Sequence, residues 1–409
     1  LPYTCEVFRK ESSGLVTFYE LTMFKTARVL FSFRCQGYGK SSKLQQWKEE
    51  SFALNLTRRY RHSVTLRDKA DGDTCLVLSV NSKWLSFPLS WLRDNCQCSE
   101  CYHRNSFSRK ILLDTFNPDI SYQSVQTDDG GQTLRIVWSN QHVSEFELDW
   151  LLKRNFSPDV QKEQLNFIKR PEVTWGPTDF AAATRPTFDD LMASEECLYH
   201  FLENLETYGV VLIEGAPCRP GLLRNFVERF SFIRRTHYGE IFTIIDKADT
   251  HNVAYTNDLL QLHTDLPYYE YMPGVNLLHC IKQDPSAGGR SWLLDGLKAA
   301  NKLKATNPEA FQVLSSTQVT WSDEGRDVEG EFYKLHRSPV ICLAEGIVTR
   351  INLSQPQRSS VFTVTCDEAT RWYSALRQFS EVLTDPEVMV DFKLKEGDIL
   401  AFSNIRVIH

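Results

Sequence analysis

The sequence of 409 residues has no apolar run close to the roughly 20 residues that a membrane-spanning helix requires, so it offers no helical membrane anchor. It also lacks a basic excess. The formal net charge is −6, and non-specific nucleic-acid binding needs a positive footprint. Internal repeats and low-complexity tracts are absent, which sets aside solenoids and compositionally disordered chains. An even, regularly spaced set of cysteines is missing too. There are 11, and three of them fall at 96, 98 and 101, which argues against a secreted disulfide scaffold and for an intracellular protein with a metal site. What is present is ordinary for a globular chain: 42% hydrophobic and 24% charged residues, in a length sufficient for two or three domains.

Residues 1–22 carry no pattern that predicts structure. From Met23 to Lys48 the text is basic and free of acids, with Lys25, Arg28, Arg34, Lys40, Lys43 and Lys48. Phe24, Ala27 and Phe31 recur at helical spacing, with Lys25, Arg28 and Ser32 as a second stripe. This is the composition of a mitochondrial transit segment; the alternative is a disordered basic leader on a cytoplasmic protein. Residues 1–62 are therefore expected to be a leader. GYGKSS at 37–42 is not a P-loop, because Arg34 stands where the first glycine of the motif belongs.

Residues 63–160 are expected to form a small β-rich module, with strands at 74–80 and 134–138 and turn chemistry at Asp129-Gly130-Gly131. Between the strands lies WLRDNCQCSECYHR, which carries Cys96, Cys98 and Cys101. Thiolates at this spacing can converge on one tetrahedral Zn(II), and a histidine would complete the set. Cys96 and Cys98 are too close to bridge each other comfortably. His103 follows Cys101 with little slack to fold back, which makes His142 the better fourth ligand. Four protein ligands leave no open position, so the expected site is structural.

A hinge rich in Pro, Trp and Gly (170–180) precedes the rest. A helix is expected at 187–209, with Thr187 and Asp190 in capping-box spacing. A short buried strand follows at 210–215, then a helix at 220–230 with Pro220 in its first turn. Strands are expected at 252–256, around His263 and Asp265, and at 275–280, 288–294 and 348–353. One late helix, 367–384, places Trp372, Leu376 and Phe379 on one face. Strands at 390–394 and 398–404 then lead to His409. Short apolar strands broken by Gly/Pro turns suggest a β-rich α+β chain with a jelly-roll or barrel-like sheet.

On a strand, His263 and Asp265 point to the same face. An imidazole and a carboxylate so placed are two corners of the 2-His-1-carboxylate triad that holds non-haem Fe(II), and His409 is the candidate third corner. The motif alone is weak. Among 10 histidines a His-x-Asp arises readily by chance, as a surface histidine beside a loop aspartate.

The neighbourhood changes that balance. WLRDNCQCSECY, NVAYTNDLLQLHTDLPYYEYMPGVNLLHCIKQ, GGRSWLLDG and FSNIRVIH occur in order between Leu66 and His409. Together they resemble the γ-butyrobetaine dioxygenase family of Fe(II)/2-oxoglutarate oxygenases, to which trimethyllysine dioxygenases are related. The resemblance implies a distorted double-stranded β-helix (jelly-roll) catalytic domain over 175–409, preceded by a zinc domain over 63–160. It implies iron on His263, Asp265 and His409, and zinc on Cys96, Cys98, Cys101 and His142. It further implies 2-oxoglutarate and O2 as co-substrates, ascorbate as reductant, and hydroxylation of γ-butyrobetaine to L-carnitine with release of succinate and CO2. Tyr238, Phe242 and Tyr255 match the family's aromatic cage for a trimethylammonium group, Asn252 matches an amide that binds the substrate carboxylate, and Ser354 stands where the family has a second amide. The partner implied is a small trimethylammonium carboxylate, with no nucleic acid and no membrane, and a homodimer is left open.

The chain departs from the family in four places. Phe242 replaces the usual tryptophan, the best cation–π face, and Ser354 replaces an amide. The strand before His409 reads FSNIR where the family has FDNWR. The family's 2-oxoglutarate-binding arginine lies beyond His409, so the catalytic domain is expected to be truncated at its C-terminus and to bind 2-oxoglutarate poorly as it stands. Neither Leu1 nor His409 need be a natural terminus. Competing functions are hydroxylation of trimethyllysine or another trimethylammonium acid and, in a different class, a non-catalytic methylammonium-binding paralogue; a zinc-dependent scaffold ranks last.

Overall fold

The computed structural model describes residues 15–21, 63–67, 74–128, 130–168, 172–244, 260–286, 288–327 and 330–409. The chain divides into two compact units, Tyr38–Lys169 and Leu1–Gly37 with Arg170–His409. The basic stretch from Met23 and the expected strand at 252–256 lie outside the described residues.

In the smaller unit, Val64–Leu66, Cys75–Val80 and Lys83–Pro88 form one antiparallel sheet, and Tyr122–Thr127, Thr133–Trp138 and Val143–Glu147 form another. Period-two alternation buries Leu76, Leu78 and Val80 from the first and Leu134, Ile136 and Trp138 from the second. These meet Phe87, Leu89, Leu92, Phe146 and Leu148 in one core. Two short helices, Leu89–Asp94 and Leu148–Leu152, start directly where strands end.

The larger unit is built on a five-stranded antiparallel sheet in the order Val210–Ile213, Ile399–Ser403, Val275–Lys282, Leu15–Leu21, Ile241–Ile244. Alternation divides its side chains between two layers. Val211, Ile213, Val275, Leu277, Ile399 and Ala401 face the helices Glu195–Tyr208 and Leu222–Val227. Leu212, Cys280, Leu400 and Phe402 face the opposite way, onto Leu293, Val390 and Val407 of a second sheet. That sheet is Val390–Phe392, Ser291–Asp295, Val407–Ile408. A third cluster packs the helices Gly296–Thr306, Pro308–Ser316 and Cys366–Leu383 against Trp321, Ile341 and Ile351 of two hairpins.

Several expected elements differ. The helix expected at 187–209 is two, Phe188–Ala193 and Glu195–Tyr208. Ser194 breaks it by capping the second helix, its hydroxyl accepting from Cys197 N, an interaction worth about 1 kcal/mol. The helix expected at 220–230 covers only Leu222–Val227, because Gly221 at φ 80° is its cap and Pro220 stays outside. Leu15–Leu21, in the expected leader, pairs along its length with Val275–Lys282.

A buried ion pair fixes the end of the chain. Arg406 donates from Nε and Nη2 to both oxygens of Asp295, at 3.0 and 2.9 Å, and to the carbonyls of Thr207 and Val173 at 2.9 and 2.6 Å. The two side chains are 4% and 0% exposed. Asp295 also accepts from Trp175 N and caps the helix Gly296–Thr306 through Leu297 N.

Candidate metal centres and active site

Cys96, Cys98 and Cys101 occupy the turn after the helix Leu89–Asp94, where Cys101 N and Tyr102 N both donate to Cys98 O. His142 lies in the hairpin between Thr133–Trp138 and Val143–Glu147, held by its N–H to Asn140 Oδ1. Its Nε2 lies 3.3, 3.7 and 3.5 Å from the sulfurs of Cys96, Cys98 and Cys101. Donors on a tetrahedral Zn(II) at ordinary bond lengths are separated by about 3.6 Å along an S···N edge, so the four fit one such ion. Burial pushes the Cys96 thiol up to about 12 and also raises Cys101. Cys98 moves down, since burial is outweighed by the N–H of Cys101 and the neighbouring thiols. A cation among them reverses the cost of holding thiolates in a buried turn. Arg93 donates to Cys101 Sγ, and Glu100 lies 3.9 Å from His142 Nδ1, the outer contact that orients a ligating imidazole.

The second centre gathers residues from distant parts of the larger unit. His263 and Asp265 are not on a strand: residues 261–266 have no regular structure, and Leu266 at φ 55° followed by Pro267 turns the chain away. The segment is held instead by single long-range bonds. His263 N donates to His409 O (2.8 Å), His409 N to His263 O (3.0 Å) and Thr264 N to Leu353 O (2.6 Å). His409 leaves the strand Val407–Ile408 with its ring 4.6 Å from Phe402. His263 Nε2 and His409 Nε2 lie 3.4 and 3.3 Å from the two oxygens of Asp265. Ligands at adjacent corners of a first-row octahedral ion are about 3 Å apart, so these three donors fit an ion on one face. Their side chains keep 12%, 17% and 13% exposure.

Two amides, which no sequence signal marked, position Asp265. Asn276 Nδ2 donates to Asp265 Oδ2 at 2.6 Å, and Asn404 accepts from Asp265 N at 2.7 Å while donating to its carbonyl at 2.9 Å. Both asparagines are 0% exposed. Burial alone would raise the Asp265 carboxyl, but the imidazoles of His409 and His263 hold it below the usual range, ionised and ready for a cation. Burial lowers His409, while the bond to Asp265 overcomes burial and raises His263.

Among the expected substrate contacts, Tyr238 and Phe242 come together, with ring centroids 5.4 Å apart. Tyr238 belongs to the apolar cluster that also holds Leu266 and Leu353, and Phe242 and Leu262 pack against that cluster. Ser354, 2% exposed, follows Leu353 directly, and its hydroxyl donates to Gln357 Oε1 at 3.1 Å. Asn252 and Tyr255 lie outside the described residues.

Residues 174–409 match the family model "Taurine catabolism dioxygenase TauD, TfdA family", and residues 66–152 match "Gamma-butyrobetaine hydroxylase-like, N-terminal". The chain is 36% identical to human (Homo sapiens) gamma-butyrobetaine dioxygenase over 79% of its length and 82% of the relative's. It is 31% identical to the gamma-butyrobetaine dioxygenase of Pseudomonas sp. (strain AK-1), covering 78% and 81%. Mitochondrial trimethyllysine dioxygenase of Bos taurus is 30% identical, covering 80% and 76%.

Proposed function

Because the chain belongs to the TauD/TfdA dioxygenase family, we propose that it is a 2-oxoglutarate-dependent dioxygenase that hydroxylates γ-butyrobetaine to L-carnitine. The convergence of His263, Asp265 and His409 on one face carries this proposal. Fe(II) bound there supplies the redox chemistry that couples decarboxylation of 2-oxoglutarate to oxygen insertion into a C–H bond. The residues of the chain bind and orient. His263 and His409 provide neutral nitrogen donors, and Asp265 provides the anionic one, aimed by Asn276 and Asn404. Three protein donors on an octahedral ion would leave three positions for a bidentate 2-oxo acid and O2.

A trimethylammonium group has no N–H to donate, so aromatic faces recognise it, each contributing about 0.5–2 kcal/mol. Tyr238 and Phe242 suit that task, with Tyr255 as a third face. Ser354 and Asn252 suit the carboxylate end. Two antiparallel sheets packed face to face, with His409 at the edge of one, support a distorted double-stranded β-helix. A structural Zn(II) on Cys96, Cys98, Cys101 and His142 is part of the proposal, as is ascorbate as the reductant that keeps the iron ferrous.

The test is a product assay with γ-butyrobetaine and trimethyllysine in competition, in the presence of Fe(II), 2-oxoglutarate and O2, read by mass spectrometry. Whatever the rate, the expected product is γ-butyrobetaine carrying one added oxygen on its third carbon, matched by succinate. Preferential oxidation of trimethyllysine would assign the other substrate, and succinate release with no oxidised amine would remove both.

A further inference from the structure

Thr264 stands between the two metal-ligand candidates His263 and Asp265, and it is 0% exposed. The backbone N–H and carbonyl of His263 both pair with His409, and those of Asp265 both pair with the Asn404 amide. Thr264 binds a third segment. Its N–H donates to Leu353 O at 2.6 Å, Leu353 N donates to its Oγ1 at 3.1 Å, and its hydroxyl is directed to Leu353 O at 3.4 Å. The hydroxyl thus takes the part that a backbone carbonyl plays between paired strands.

Leu353 lies between two other anchorages of its segment. Before it, Ile351 N donates to Ile405 O and Asn352 N to Val340 O, at 3.0 and 2.8 Å. After it, Ser322 N donates to Gln357 O and Ser359 N to Thr320 O, both at 2.9 Å. Among the described residues, the bonds that hold the backbone of Leu353 come from Thr264. The next residue is Ser354, assigned above to the carboxylate end of the substrate. One threonine therefore joins the segment that would hold the metal to the segment that would hold the substrate. Without its hydroxyl, the N–H of Leu353, a residue only 9% exposed, would lose its acceptor. A single bond, Thr264 N to Leu353 O, would remain, and the two segments could pivot about it.

We infer that Thr264 is a positioning residue: its hydroxyl, clamped on Leu353, keeps the metal-binding and substrate-binding segments in one register, so that occupancy of either site is felt at the other. This rests on the trimethylammonium carboxylate substrate and the Ser354 contact proposed above. Coupling of that kind is reciprocal and is read as a ratio of affinities.

The test is calorimetric titration of the whole chain with γ-butyrobetaine, with and without saturating Mn(II), which shares the octahedral preference of the site. Wild-type protein should bind γ-butyrobetaine about tenfold more tightly with Mn(II) present, within the usual range of such couplings. Thr264→Val, which puts a methyl in place of the hydroxyl, should reduce that ratio to about two or less. Thr264→Ser, which keeps the hydroxyl, should restore it. Thr264→Ala removes the hydroxyl without adding a methyl, and serves if the valine variant does not fold. A metal that simply bound the substrate carboxylate would tighten the variants as much as the wild type, which would overturn the inference. A valine variant that melts lower but keeps the wild-type ratio would make Thr264 a structural residue and overturn it too, as would a wild-type chain indifferent to Mn(II). A wild-type chain that binds Mn(II) but no γ-butyrobetaine would remove the substrate reading, and the inference with it.

Discussion

Around Cys96, four donors from two short stretches close on a space the size of one tetrahedral ion, and two of the thiols are buried. Around Asp265, three harder donors from segments far apart in the chain cover one side of a space and leave the other partly exposed. Softness, donor number and openness differ together. A set that saturates its ion contributes folding energy, whereas a set that leaves positions free can admit a substrate. The contrast also runs through the supporting contacts. Arg93 comes from the helix just before the cysteine turn and Glu100 from the turn itself, while Asn276 reaches Asp265 from a strand of the main sheet and Asn404 from the turn after another.

The largest expected effect breaks the closed site. Cys101→Ala should release its ion and remove most of the stability of residues 38–169, since structural zinc contributes on the order of 10 kcal/mol. Metal analysis together with thermal unfolding reads both. A variant that keeps its zinc and its melting temperature would make the cluster a set of packed thiols. A smaller effect sharpens the open site. Asn276→Ala should weaken Fe(II) binding about 10- to 100-fold, the usual cost of losing a contact that orients a ligand, and leave zinc content unchanged. Equal iron affinity in a competition titration would show that the carboxylate needs no help from Asn276 and that the backbone bonds of Asp265 to Asn404 suffice.

The smallest effect concerns acid. Burial lowers His237 and His279 to about 4, with Lys334 adding to the effect on His237. Unfolded, both take up protons near 6.5. As pH falls below about 6.5 the unfolded chain gains protons that the folded one refuses, so stability declines down to about pH 4 and is flat above that window. His279→Asn should make the decline in melting temperature shallower. An identical slope in the variant would place the acid sensitivity elsewhere.

The closed site was legible because its chemistry is local. Three cysteines in one turn need only a nearby hairpin to deliver His142, and both features are written in short stretches. The helix cap at Thr187 and the short apolar strands at 74–80 and 398–404 were equally local. The residues of the open site were proposed from a weak spacing motif and supported by resemblance, while their mounting was misread. A two-residue spacing suggested a strand, but the backbone at His263 bonds across to His409 and then turns at Leu266. Asn276 and Asn404 carried no signal because their roles exist only between elements distant in sequence. The helix pair Gly296–Thr306 and Pro308–Ser316, and the hairpin Val319–Asp327 with Gly330–Ser338, also went unnoticed. The hairpin's alternation is half polar and half exposed, so it lacks the apolar run that marks a buried strand.

Arg406 gives the open site a property that its own three residues do not. Its guanidinium gathers Asp295, Thr207 and Val173 at one point, three residues before His409. The last ligand is therefore in place only once the segment at 173–175, the end of the helix Glu195–Tyr208 and the start of the helix Gly296–Thr306 have all arrived. On the iron site proposed for His263, Asp265 and His409, an ion held there would report that these separate segments have come together.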